Sequence, residues 1–452
     1  MLDVRLRHCR QQGDSTIKTK LLLSLVFFSA IALGTLEQNY GLGGFSSGRA
    51  ASVTAEIENP YASLYNPALL SAQSNPLLSF STLVTATSFG AIRGVIIDSP
   101  EYRTTDGVAR IGDFQLPATH SVLWSFGMTY PFQLPKSLNR RAGIGVVLSG
   151  PFDKLRSFQA STPYDFFALR YGTSDNQFKG VMAGSVELWP DHLYLGAGVS
   201  VFISTAGSAD AMINSSNPTG RLLVDVGLNT AVVSGLLGRI GDSTASLVYR
   251  QAINPSFEQK MSGQAEAFRQ PTVTVPFIAR SSFYYEPHTF DLEVQHDFQW
   301  LKASLGFSYQ LWSQYQPSFL VLETKTADGQ AQSTRLPAVS MRNTVNPRAS
   351  VVVPIFADRL SAAGGYQYRF SPVEDLSGPA NILDCDTHIL GAVIEHRLFE
   401  ESTFSLSWAL YGQYHLFVER KVAKANPQYI GAPGFQLGGS AFTYGLTVMA
   451  EL

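Results

Sequence analysis

The chain has 452 residues, 45% of them hydrophobic and only 15% charged, and its 33 basic and 35 acidic side chains give a formal net charge of −2. A soluble domain usually carries ~25% charged residues, and a near-neutral balance without a Lys/Arg cluster argues against a nucleic-acid partner. The longest apolar run, Leu21–Gly34, is too short for a membrane-spanning helix of ~20 residues, which leaves an exported soluble β protein or a membrane β-barrel.

In chain order, Arg5, Arg7, Arg10, Lys18 and Lys20 precede the apolar stretch Leu21–Leu33, and small residues follow at Ala32 and Gly34. That order predicts a signal peptide over residues 1–34 and a mature chain from Thr35. Cys9 leaves with the signal, so Cys385 stands alone and no internal disulfide is expected. Next comes the segment Gly41–Leu70, rich in glycine and alanine. Gly41, Gly43, Gly44 and Gly48 allow close backbone packing. Residues from Ala50 to Leu64 suit short helices, interrupted by Asn59-Pro60 and closed by the Asn66-Pro67-Ala68 turn. Left loose in water, its apolar side chains would gain nothing, so the segment needs a cover.

After residue 76 the pattern changes to period-two alternation. Val122, Trp124, Phe126, Met128 and Tyr130 share one face of Ser121–Tyr130, with Ser121, Ser125, Gly127 and Thr129 opposite. Ser304–Leu311, Leu360–Phe370, Thr403–His415 and Phe442–Leu452 alternate in the same way. Further strands are predicted at Leu77–Thr87, Ala142–Ser149, Phe178–Leu188, Leu193–Ile203, Arg221–Val232, Ser243–Arg250, Val275–Tyr285, Thr289–Phe298, Phe319–Glu323, Arg348–Pro354 and His388–Arg397. Many have the ~9–11 residues a tilted strand needs to cross a bilayer, and the polar face is Ser, Thr, Gly and Gln. Tyr130, Trp312, Phe370, Tyr411 and Tyr414 fit interfacial girdles. Long polar connections (Asp98–Thr119, Ala206–Gly220, Gln251–Thr272, Thr324–Pro347, Ser371–Thr387, Glu419–Gly439) alternate with short ones such as Pro190–His192 and Glu286–His288. The predicted class is all-β, a transmembrane antiparallel β-barrel of roughly fourteen to sixteen strands over residues 77–452.

Three stretches resemble the FadL/TodX family of outer-membrane transporters, together spanning nearly the whole mature chain. Gly41–Leu70 resembles the family's N-terminal plug. Trp312-Ser313-Gln314-Tyr315 resembles its W-S-x-Y strand end. Tyr366–Phe370 with Ser371-Pro372, followed by Asp384, Asp386 and His388, resembles its Y-x-Y…P-x-P…D-x-D-x-H region. The chain departs from the family in ending on Leu452 rather than Phe or Trp, and in carrying Glu56, Glu58 and Asn59 where the family has paired aspartates. The resemblance implies fourteen strands, a plug of short helices (residues 35–76) in the lumen, and a monomer in the bacterial outer membrane, held in lipid or detergent. It implies passive uptake of hydrophobic small molecules such as long-chain fatty acids, with no cofactor and no enzymatic activity. Plug and gating positions are then Gly41, Gly43, Gly48, Arg49, Asn66, Pro67 and Ala68. A lateral gap in an early strand is implied as well, and Gly143, Gly145, Gly150 and Pro151 on the third strand suit a bend. A carboxylate would want a lumenal cation, for which Arg348, Arg369 and the plug's Arg49 are the candidates.

Other readings compete. A general porin for small polar solutes would have a wide lumen, and an adhesin would bind through its long loops. Gly44-Phe45-Ser46-Ser47-Gly48 matches the G-x-S-x-G elbow of a lipid hydrolase, but that motif needs a strand before it. Asp384-x-Asp386-x-His388 has the spacing of metal ligands, although a hydrogen-bonded turn is the commoner use, and no metal is assigned.

Overall fold

The structure is a computed structural model that describes residues 37–56, 58–99, 108–152, 164–171, 178–212, 219–254, 256–265, 273–282, 285–315, 321–325, 331–333, 339–356, 359–401 and 404–452. The expected signal peptide lies outside them.

Fourteen antiparallel strands close into a barrel. They are β1 (Leu77–Phe89), β2 (Thr119–Gln133), β3 (Arg141–Pro151), β4 (Lys179–Trp189), β5 (Leu193–Met212), β6 (Thr219–Ile240), β7 (Ser243–Arg250), β8 (Thr289–Asp297), β9 (Lys302–Gln310), β10 (Thr344–Phe356), β11 (Leu360–Arg369), β12 (Thr387–Glu401), β13 (Phe404–Ala423) and β14 (Gly434–Glu451). Closure comes from β1, which pairs β2 on one edge (Leu77↔Thr129) and β14 on the other (Leu77↔Glu451). A closed barrel leaves no backbone edge unpaired, which is what a bilayer demands.

The alternation sorts the side chains as expected. On β2, Ser121, Leu123, Ser125 and Thr129 are buried toward the lumen, while Val122 and Tyr130 face outward and are exposed. Phe80, Ile144, Leu228, Leu305, Ile394 and Tyr444 continue the apolar outer face round the wall. At one end the connections are tight, as at Pro190–His192 and Gly241-Asp242, and exposed Trp189, Trp300 and Phe356 mark that rim. The other end carries the long excursions, so the tight end is periplasmic and the long end extracellular.

Several expectations change here. The segments 273–282 and 321–325 are strands, but they belong to an extension beyond the barrel wall. There 256–265 pairs 273–282 and also lies parallel to Gly207–Met212, because β5 and β6 run on past the bilayer as a 20- and 22-residue hairpin. Glu286–His288 is a break between 273–282 and β8 rather than a turn, held by the Ile253↔Glu286 bridge. Trp312 and Tyr411 do not join a girdle. Tyr411 has lumenal parity and bonds Ser81 Oγ at 2.9 Å, and Trp312 is buried beside Tyr285 and Tyr315 on the extracellular side.

Candidate functional site

The lumen is filled by the segment that precedes β1. Among the described residues its helices are α1 (Glu37–Tyr40), α2 (Gly44–Gly48), α3 (Ala62–Tyr65) and a 3-10 turn at Pro67–Ser71. The expected helix through Ala50 does not form, because Ala50 and Ala51 have positive φ (49° and 64°) and turn the chain sharply. Asn66 shapes the turn after α3: its Oδ1 accepts from Ala68 N at 3.0 Å and its Nδ2 donates to Thr54 O at 2.8 Å, with Pro67 opening the 3-10 turn.

This plug is seated by polar bonds. Arg49, fully buried, donates to Glu56 at 2.6 Å, Ser350 at 3.1 Å, Gln295 at 3.2 Å and Ser304 at 3.0 Å, and so ties the plug to β8, β9 and β10. Gly44 N donates to Thr447 at 2.8 Å, Gln413 donates to the Ser47 carbonyl, and Ser246 donates to Thr54 at 2.9 Å. At several of the closest approaches of plug to wall, the wall residue is glycine. A Cβ at Gly127, Gly143, Gly145, Gly196, Gly235, Gly365 or Gly391 would collide with plug atoms. Plug glycines match them: a Cβ at Gly43 would strike Tyr61, and one at Gly48 would strike Val393. Gly41 and Gly43 also adopt φ of 76° and 79°, which only glycine holds without strain.

The four residues considered for a lateral gap divide. At Gly143 and Gly145, β3 is laddered on both sides, and both glycines make room for Leu70. The β3–β4 ladder stops at Ser149↔Lys179, whereas β2–β3 runs on to Leu123↔Pro151. Phe178 stands over Gly150 there, 5.7 Å from Trp124.

Above the plug lies a cavity of about 70 Å³ bordered by Lys179, Arg250, Asp291, Arg348 and Arg369, with Ala51, Leu64 and Tyr65 of the plug as its floor. Two of the three arginines named from the sequence, Arg348 and Arg369, therefore reach one space, while Arg49 lies in the plug seat. Arg348 is held by Asp291 (3.0 Å) and Glu293 (3.2 Å), and Arg250 by Asp291. Lys179 and Arg250 were not anticipated, although Arg250 has inward parity on β7 and parity alone would have exposed it. Below the plug, a vestibule of about 410 Å³ opens at the periplasmic end among Glu56, Lys302, Arg359, Glu395 and Arg397.

The extracellular mouth is capped by an apolar cluster. The hairpin Ile92–Asp98 with Arg110–Phe114 and the parallel pair Phe167–Ala168 with Ile382–Leu383 bring loop residues inward. Ile92, Val95, Phe166, Ile382 and Leu383 pack there against Leu83, Phe89, Leu123, Phe417 and Phe435 of the wall strands. The Asp384-x-Asp386-x-His388 side chains take three separate partners: Arg170 at 2.7 Å, Tyr368 at 2.8 Å and Tyr366 at 2.9 Å. Gly44-Phe45-Ser46-Ser47-Gly48 is helix α2 itself, with bends rather than a strand in front of it.

No family model and no curated protein matches the chain. Solved structures do. A FadL homologue from Pseudomonas aeruginosa aligns over 93% of this chain and 98% of its own, with 14% identity and a TM-score of 0.52. The toluene transporters TodX of P. putida and TbuX of Ralstonia pickettii each align over 91% of this chain and 99% of theirs, with 11% identity and TM-scores of 0.51. The fold is that of a FadL-type barrel. In a FadL-type barrel of this build the closed, even-stranded wall and apolar outer face place the chain in the bacterial outer membrane.

Proposed function

We propose that this FadL-type barrel is a passive channel for hydrophobic compounds, and that its substrates are long-chain fatty acids or similar amphiphiles with an anionic head. The observation that carries the reading is the sequence of environments along the lumen: an apolar cap, a basic cavity, then a plug. Burying a tail under the cap contributes ~0.8 kcal/mol per CH₂, which suits reversible capture. The head then meets Lys179, Arg250, Arg348 and Arg369, and a carboxylate desolvated beside them keeps a counter-charge. Passage to the periplasm needs the plug to shift, since Arg49 and the glycine contacts seat it across the lumen. Lateral exit through the wall is assigned to the Gly150-Pro151 end of β3, which lies beyond the last β3–β4 pair among the described residues, Ser149↔Lys179, and where Phe178 stands over Gly150. The filled lumen disfavours a general porin.

The test is uptake of labelled oleate and labelled toluene by cells with and without the protein. Oleate uptake is expected to rise with the protein and toluene uptake to rise less. Equal uptake of both with and without the protein overturns the proposal.

A further inference from the structure

Arg170 lies in the loop segment just before Tyr171, beneath the cap. Its Nε and Nη2 are engaged side by side by Asp384, at 2.8 and 2.7 Å, and Nη2 also reaches the Cys385 carbonyl at 3.1 Å. Its Nη1 is different. The residue is 6% exposed, and Nη1 has no hydrogen-bond acceptor among the described residues. A buried donor left unsatisfied costs ~1–3 kcal/mol, and more when charged, so a structural ion pair alone does not account for an arginine here. Lysine would pair with Asp384 without stranding a second nitrogen.

Arg369, also buried, approaches the next residue, Tyr171. Its Nη1 is 3.5 Å from Tyr171 Oη and 3.3 Å from Asn39 Oδ1 of the plug. Burial raises the Tyr171 phenol above its ordinary range, and the Arg369 and Arg170 charges act on it in the opposite direction. The surroundings are aromatic: Tyr171 lies 4.9 Å from Phe417 and 5.7 Å from Tyr40 between ring centres. Arg369 also borders the basic cavity below.

We propose that Arg170 Nη1, with Arg369 at the hydroxyl of the adjacent Tyr171, is an anion-recognition point under the cap that accepts the carboxylate of an incoming long-chain acid before it reaches the basic cavity. The inference rests on the channel reading above and deepens it. It makes the barrel selective for acids over neutral molecules with the same tail. The carboxylate accepts the Nη1 protons as hydrogen bonds, and no covalent step is involved.

Two variants of the full-length protein test this. Arg170→Lys keeps the charge opposite Asp384 while removing the stranded nitrogen and the side-by-side pairing. The double change Arg170→Gln with Asp384→Asn removes both charges together. Each is assayed for uptake of oleate and of oleyl alcohol, and, after purification in detergent, for binding of the same two probes. A hydrogen-bonded charge contact predicts a fall of about tenfold in oleate binding and uptake in both variants, with oleyl alcohol unchanged. Equal losses for both probes would show a purely structural role and overturn the proposal, as would an unaltered acid-to-alcohol ratio. If the wild type moves neither probe into cells, the channel reading fails, and the acid-to-alcohol binding ratio of the purified variants still decides for or against the arginine site.

Discussion

The plug seat and the extracellular cap close the same barrel by opposite means. The seat is directional: a buried arginine with four hydrogen-bond partners, backbone-to-side-chain bonds, and wall glycines fitted to plug backbone. The cap is non-directional, made of Ile92, Phe166 and Leu383 pressed on Phe89, Phe417 and Phe435 of the wall strands. A lipophilic tail can replace the cap's contacts with its own, since one apolar surface substitutes for another. It cannot replace the bonds under the plug. Only water or a polar head can do that, so the two closures respond to different parts of an amphiphile.

Removing one closure is the harshest way to break this contrast. Deleting residues 41–70 leaves a fourteen-strand wall with an open lumen, and permeability of reconstituted vesicles to small sugars should rise by about tenfold or more. An unchanged rate would mean that the plug does not close the pore. Arg49→Leu is narrower. It removes the nearer cation of Glu56, leaving Lys302 at 3.7 Å, and breaks the bonds to Gln295, Ser304 and Ser350, at up to ~3–5 kcal/mol for breaking a buried pair from one side. Protease nicking within residues 41–70 should become rapid in detergent while the wall stays intact, and Arg49→Lys should recover part of the protection. The mildest probe reads the cap. Burial pushes the Cys385 thiol up to about 12. At pH 8 its thiolate fraction is then roughly one in ten thousand, against roughly one in four for an ordinary thiol near 8.5. Maleimide labelling of the folded protein should be at least about a hundredfold slower than after unfolding, and quicker in the Arg170→Gln, Asp384→Asn variant. Fast labelling of the wild type would show that the cap is open.

The wall was readable because each barrel strand repeats one two-residue rule over a long stretch. All fourteen strands fall on predicted alternating segments. The same rule misplaced 273–282 and 321–325, since alternation reports two unlike faces and says nothing of whether lipid or water lies outside. Parity also placed Arg348 and Arg369 in the lumen. It would have turned Tyr411 inward had it been applied against Trp408 and Leu410, which share the opposite face. Gly143 and Gly145 were legible only as glycines, because a missing Cβ looks the same whether it permits a bend or a neighbour's backbone. Arg170 carried no signal at all: it lies in a loop, and its partner Asp384 is more than two hundred positions away.

Only Ser74, Asn75 and Pro76 separate the plug's last packed residues from β1, and Asn75 is itself moored to Glu451 at 2.7 Å. A stopper on so short a leash cannot diffuse away when dislodged. Its effective concentration at its own seat stays in the millimolar range or above, as for any short tether. Resealing after each passage should therefore be a fast, unimolecular event that requires neither a partner protein nor an energy source.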